Sequence, residues 1–242
     1  MLSPLQVISG VEQRQRAAYH RRQAHRNDDK GGEKTVKRGL KRLLDVAVSL
    51  VALTLLSVPL ALIALAIKLD SKGPVFFLQQ RVGLNGKHFD VWKFRTMVVG
   101  AVHRGLGYNV KRDDERITRI GHRLRNWGVD ELPQLINVLL GSMSLVGPRP
   151  TLAYQVDRYN AFQRKRLRCK PGITSLAVVN GRNRLSWARR IEYDVWYVEH
   201  WSLWLDLKIL FKTLWVVLVT REGIYGDEGV NDDFSASEGQ ES

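Results

Sequence analysis

The apolar positions along this chain fall into three regimes. Residues 1–36 show no apolar periodicity and read as a disordered basic arm, with Arg14, Arg16, Arg21, Arg22, Arg26, Lys30 and Lys34 and a Gly31-Gly32 breaker. The pattern then changes abruptly. From Val46 to Ile67 there is no charge at all. That run is roughly 22 residues, enough in helical form to match a bilayer core of about 30 Å. Beyond Gly73-Pro74 the chain returns to mixed patterning. Val75–Gln79 reads as a strand, Asn85-Gly86 as a hairpin turn and His88–Phe94 as the return strand. Helical spacing follows over Arg116–Trp127, over Asp130–Leu140 with Gly141 as its stop, and over Tyr154–Arg168. Ile173–Val179 alternates weakly, as a short strand would. Trp187–Thr220 is dense in Trp, Tyr and Leu between charges, which suits the headgroup level of a membrane or an ordinary core helix pair. Residues 226–242 read as a flexible acidic tail.

The uncharged run admits three readings. A secretory leader is disfavoured by the long segment ahead of it and by its length. A spanning helix and a re-entrant helix remain. Lys37, Arg38, Lys41 and Arg42 precede the run, and Lys68 and Lys72 follow it. Positive charge marks the cytoplasmic end of a segment, and here both ends carry it. Pro59 lies inside, where it removes a backbone hydrogen bond, and Ser57 is placed to satisfy a freed carbonyl. These features favour a re-entrant element over residues 37–72, broken near Ser57-Pro59, with residues 73–225 as a catalytic domain on the same side.

Composition narrows the partners. The 242 residues carry a formal charge of +14, with 44% hydrophobic and 26% charged residues. A folded core is within reach, and an anionic partner is expected: nucleic acid, an anionic lipid surface or a phosphorylated substrate. The apolar run argues against nucleic acid, because no soluble nucleic-acid module needs one. The single cysteine, Cys169, forms no internal disulfide and reads as a passive surface thiol.

The candidate chemistry centres on Asp130-Glu131-Leu132-Pro133. Two acids at a helix start have a bland explanation, with Asp130 as N-cap and both complementing the helix dipole. The surroundings argue for more. Arg116, Arg119, Arg123 and Arg125 come just before, and Arg149 just after. A helix start flanked by arginines suits phosphate. Carboxylates in such a place bind a metal or attack phosphorus, and Mg²⁺ shared between a carboxylate and substrate phosphates is the usual companion.

Several ordered blocks extend this pattern. They are Lys41–Asp45, Gly73–Phe77, Gln80–Gly83, Lys93–Met97, Asp130–Leu135, Asn137–Leu139, Met143–Pro150, Pro171–Thr174 and Val179–Arg182, followed by Asp194, Tyr197 and Asp206. In this order they resemble the monotopic phosphoglycosyl transferases, bacterial sugar transferases that begin exopolysaccharide, capsule and glycan assembly. The resemblance runs from about Lys41 to Leu218. It implies a mainly helical α/β membrane-associated domain with a re-entrant helix, a small β-hairpin and amphipathic interfacial helices, on the cytoplasmic face of the bacterial inner membrane. It maps the catalytic pair onto Asp130 and Glu131. Asp130 would attack a UDP-sugar and release UMP, with Mg²⁺ held partly by Asp130, and polyprenyl phosphate would then take the phosphosugar. Arg125, Lys93, Arg95, Arg149 and Arg182 would bind substrate or phosphate, Ser57 and Pro59 would shape the anchor, and downstream glycosyltransferases would consume the product. This chain departs from the family pattern in placing Val58 between Ser57 and Pro59, and in carrying Ser175 and Val178 where Gly and Gln are usual. The last two bear on which sugar is carried.

Overall fold

The computed structural model describes residues 35–103, 114–181 and 184–216. Arg182, the basic arm up to residue 34 and the acidic tail lie outside the described residues. The chain divides into two units, 1–43 and 44–242. Only residues 35–43 of the first are described, and they are helical. Everything that builds the site belongs to the second.

The uncharged run forms two helices, α1 (Thr35–Leu55) and α2 (Ser57–Asp70), bent by 64°. The break has a local cause. Pro59 has no N–H for the Leu55 carbonyl, and its ring crowds that carbonyl. Helical geometry is interrupted at Leu56 (φ −91°, ψ 2°). Ser57 Oγ donates to the Thr54 carbonyl at 2.8 Å, the role expected of a hydroxyl beside a broken turn. Among the described residues no single helix is long and apolar enough to cross a membrane, but the bent pair together is. Helix α2 has 14 residues. At 1.5 Å per residue it spans about 21 Å, short of a bilayer core of about 30 Å. Its outward face is apolar, with Val58, Leu62, Leu65 and Leu69 all exposed.

The far end of α2 is tied firmly to the rest. Ile67 is buried against Phe94 and Leu124. The Arg95 guanidinium donates to the carbonyls of Ser71 (2.8 Å) and Lys72 and to Ser71 Oγ (3.0 Å), so it closes the helix C-terminus. Asp70 accepts from the Ile120 N–H at 3.1 Å.

Strands β1 (Phe76–Val82) and β2 (His88–Phe94) pair antiparallel, with Phe77 opposite Lys93. The turn is as read from sequence, with Asn85 and Gly86 both at positive φ. Helix α3 (Arg119–Trp127) starts later than its pattern because Thr118 caps it, accepting from Gly121 N at 3.0 Å. Arg116 therefore stands outside the helix and pairs with Asp114 at 2.7 Å. Helix α4 (Gln134–Leu140) ends at Gly141, which adopts φ 87°. Asn137 on α4 binds both Asp90 O (2.7 Å) and Trp92 N (2.9 Å), clamping α4 to β2.

Two expectations are corrected in the second half. Tyr154–Arg168 is not one helix. It breaks into α5 (Ala153–Asp157), α6 (Ala161–Arg164) and a 3₁₀ turn over Lys165–Arg168. The break is Asn160, which forms a reciprocal capping box with Gln163 and starts a new helix. Ile173–Val179 is not one strand either. β3 (Ser144–Val146) pairs in parallel with β4 (Gly172–Thr174), and Ser175 then caps α7 (Leu176–Val179). Helices α8 (Trp187–His200) and α9 (Leu203–Trp215) complete the fold. The core reading holds for part of this aromatic region, and the rest of it is exposed. Tyr197 and Ile209 are buried in the main core with Val91, Val138, Met143 and Val146, whereas Trp204, Phe211, Leu214 and Trp215 face outward. Asp206 accepts from Tyr197 Oη (2.7 Å) and Trp201 Nε1 (3.0 Å), so this charge is an internal tie. Cys169 is half-buried against the main core rather than a surface thiol.

Candidate active site

Asp130 and Glu131 do not open a helix. They occupy a 3₁₀ turn over Val129–Glu131, between Gly128 (φ 67°), which ends α3, and Pro133, which precedes α4. Pro133 lacks the N–H that a continuing helix would use, and Leu132 N returns to Val129 O at 3.2 Å instead. Asp130 is thus not an N-cap. The turn projects both carboxylates into a cavity of about 450 Å³, in the size range of small-molecule sites.

The two carboxylates have different surroundings. Glu131 is saturated with cations. Lys93 Nζ donates to Oε1 at 2.9 Å, and Arg149 reaches both oxygens at 2.7 and 3.2 Å, a two-pronged contact. Burial pushes Glu131 upward, but the charges and hydrogen bonds of Arg149 and Lys93 outweigh it and hold the carboxyl well below its usual range. Asp130 receives no hydrogen bond from any described residue. Burial, then the charge of Glu131, pushes it above the usual carboxylate range, against the pull of Lys93, Arg125 and Arg149. Glu131 is a fixed anion that holds two cations, and Asp130 presents a carboxylate with no hydrogen-bond partner among the described residues.

The remaining expected residues are distributed around this pair. Arg125, on α3, gives its Nε to Thr96 Oγ1 at 2.8 Å and lines the cavity. Lys93 and Arg149 reach the site through Glu131. Arg95 borders the cavity, but its guanidinium is committed to the carbonyls ending α2. Ser57 and Pro59 shape the helix break and take no part in the cavity lining.

Sequence reasoning assigned no role to Arg166, Arg190 or Asp194, yet all three line the cavity. Arg166 is buried and binds Asp194, Tyr159 Oη (2.5 Å) and the Arg149 carbonyl (2.9 Å). It therefore holds in place the backbone that presents Arg149. In the sequence it is hidden within the basic run Arg164–Arg168, where nothing separates a buried arginine from exposed ones. Two of the departures from the family pattern also border the cavity, Ser175 as the cap of α7 and Val178 beside it.

The lining holds seven Lys or Arg residues against three Asp or Glu, an excess that suits a doubly charged diphosphate. Among the described residues no group of three or more His, Cys, Asp or Glu could hold a metal alone. The arrangement does fit Mg²⁺. That ion is commonly held by one or two carboxylates together with substrate phosphates and water, and Asp130 offers one unpartnered carboxylate inside a basic cavity.

The family described as bacterial sugar transferase matches residues 36–220. The chain belongs to the bacterial sugar transferase family. Among members, an uncharacterized sugar transferase, EpsL, of Bacillus subtilis is 46% identical over 185 residues, covering 76% of this chain and 90% of that one. A UDP-glucose:undecaprenyl-phosphate glucose-1-phosphate transferase of Klebsiella pneumoniae is 45% identical, covering 75% of this chain and 40% of its own. An undecaprenyl-phosphate galactose phosphotransferase of Salmonella typhimurium is 40% identical, covering 79% and 43%. The chain thus spans less than half the length of these two family members but nearly all of EpsL.

Proposed function

We propose that this sugar transferase moves a sugar-1-phosphate from a UDP-sugar to a polyprenyl phosphate in two displacements at phosphorus. The observation that carries the reading is the asymmetry of the acidic pair: Asp130 without a partner beside Glu131 held by Lys93 and Arg149. In the first step an Asp130 carboxylate oxygen attacks the β-phosphorus of the donor. The bond from that phosphorus to the bridging oxygen breaks, and UMP departs with the oxygen and its electron pair. An aspartyl-phosphosugar remains on the enzyme. In the second step a phosphate oxygen of the acceptor attacks the same phosphorus, and the Asp130 carboxylate is released. The product is a polyprenyl-diphospho-sugar, the start of a glycan that downstream glycosyltransferases extend. Relatives named for glucose and galactose transfer to undecaprenyl phosphate support this assignment.

Each neighbour has a defined task. Glu131 stays charged and orients Lys93 and Arg149 toward the donor diphosphate. Arg125, steadied by Thr96, meets the phosphate from the α3 side. Asp130 would hold Mg²⁺ together with the substrate phosphates, and the ion would supply charge neutralisation for the diphosphate. The bent α1–α2 pair lies in the cytoplasmic leaflet of the bacterial inner membrane as a re-entrant element, with the active site on the cytoplasmic side. Its outward apolar face and the lysines and arginines at both ends support this placement.

The test is UMP release from UDP-glucose and UDP-galactose with Mg²⁺ and no acceptor. A burst close to one UMP per enzyme, a matching covalent mass increase, and loss of both in Asp130→Asn are expected. A burst of the same size in Asp130→Asn would refute the mechanism.

A further inference from the structure

The catalytic cavity has two chemically different halves. Around Asp130 it is basic. On the side of the β-hairpin it is walled by Pro74, Phe77, Val98, Val99 and Val102. This wall is not core. Phe77 is 37% exposed and Val99 is 58% exposed. Phe76 also borders the cavity, but from the opposite sheet face, where its ring packs on Phe94 at 5.5 Å and edge-on to Trp92 at 5.4 Å. Exposed apolar surface inside a charged site calls for an apolar ligand.

The wall and the basic half adjoin within the hairpin. Phe77 is directly opposite Lys93 in the β1–β2 register, so their side chains share one sheet face. Lys93 in turn contacts Glu131 at 2.9 Å. The wall also begins just beyond α2, whose outward face carries Leu62, Leu65 and Leu69. A nucleotide-sugar has no apolar portion to cover five such residues. A polyprenyl phosphate has an anionic head joined directly to a branched hydrocarbon chain, which matches a basic half joined to an apolar wall.

We infer that Phe77, Val98 and Val99 seat the first isoprenyl units of the acceptor, with its phosphate turned toward Lys93 and Arg125 beside Asp130. The inference rests on the two-displacement reading and adds a seat for the acceptor. The physical role of the wall follows from solvation. Lipid tails are already apolar, so the groove gains nothing over the bilayer for most of the chain. The units nearest the phosphate are different. They must leave the lipid when the head reaches Asp130, and without a wall they would meet water.

The experiment uses the full chain in detergent micelles with UDP-glucose or UDP-galactose as donor. Geranyl phosphate, a short soluble acceptor, removes partitioning into the micelle as a variable. Phe77→Ser is expected to raise the KM for geranyl phosphate on the order of tenfold, with the KM for the donor moving far less. Val99→Thr, which keeps the shape and lies in a loop, should act in the same direction and covers the case in which Phe77→Ser folds poorly. Phe77→Leu should return the acceptor KM to within about twofold of the starting value. An unchanged acceptor KM in both Phe77→Ser and Val99→Thr, alongside a normal UMP burst, would overturn this seat and leave the covalent mechanism standing. A raised donor KM in place of the acceptor effect would assign the wall to the nucleotide and also overturn it. Absence of any UMP burst in the unaltered protein would overturn the underlying reading of the site.

Discussion

The buried pair Arg166–Asp194 gives a quantitative test of how the site is supported. Both side chains are 2% exposed. Arg166 spends its hydrogen bonds on Asp194, on Tyr159 Oη and on the Arg149 carbonyl. Removing one member of a buried pair leaves the other charge uncompensated, at about 3–5 kcal/mol. For a protein of this size each kcal/mol shifts Tm by about 2–4 °C, so Asp194→Leu should lower Tm by about 6–20 °C. Removing both charges is different, because an apolar replacement of similar volume is often neutral. Arg166→Met combined with Asp194→Leu should therefore recover most of the lost stability. It should not recover the rate, since the Arg149 carbonyl has lost its donor and the guanidinium that grips Glu131 is no longer fixed from behind. Thermal unfolding and UMP release on the two single variants and the double variant separate these effects. The reasoning fails if the double variant is no more stable than Asp194→Leu, or if it is as active as the unaltered protein.

Three further outcomes follow from the geometry. Arg149→Lys keeps the charge but loses the two-pronged contact with Glu131, and one charged hydrogen bond of about 1.5–3 kcal/mol should lower kcat/KM by about 10- to 150-fold, read by UMP release. Gly121→Ala places a Cβ 2.0 Å from the Thr96 carbonyl oxygen, so a loss of about 1–3 kcal/mol in stability, measured by thermal unfolding, should accompany displacement of the Thr96 that holds Arg125. Pro59→Leu restores an N–H for the Leu55 carbonyl and should straighten the bend. Leu44→Cys and Lys72→Cys, each in a Cys169→Ser background, should then be labelled from opposite sides of the membrane rather than one, and opposite-side labelling without the Pro59 change would refute the re-entrant element.

Much of the fold was legible because its signals are local. Pro59 marks the break in the apolar run, Asn85-Gly86 the hairpin and Gly141 the end of α4. Where the reading went wrong, a cap or a tertiary contact overrode periodicity. Asn160 split the basic stretch, and Ser175 turned an apparent strand into a strand and a helical turn. The acidic pair was legible as chemistry but not as geometry. Asp130-Glu131 before an apolar run resembles a helix start, and only the fold shows that Gly128 and Pro133 isolate it in a turn of its own. Arg95 shows the reverse case. It is basic and near the site, but the open end of α2 claims it, and carbonyl groups twenty-odd residues away leave no pattern in its neighbourhood.

That use of Arg95 links anchoring to chemistry. Its guanidinium binds the carbonyls just past the end of α2, and two residues earlier, near the end of β2, Lys93 grips Glu131. On the other side Asp70, the last residue of α2, accepts from the start of α3, the helix that carries Arg125. The end of α2 is therefore bound by hydrogen bonds to α3 and to the chain leaving β2, two of the segments that present cations to the acidic pair, and Ile67, Phe94 and Leu124 pack the space between them. On the proposed placement of α2 in the lipid leaflet, these short connections, and not a loop, would set the height of Asp130 above the acyl chains. On the proposed mechanism, a carbon chain drawn from the bilayer to phosphorus would bridge that height at every turnover, and a rigid offset would keep the acceptor's path short and constant. Loosening either tie should raise the requirement for acceptor before it affects the first release of UMP, because only the second displacement depends on where the membrane lies.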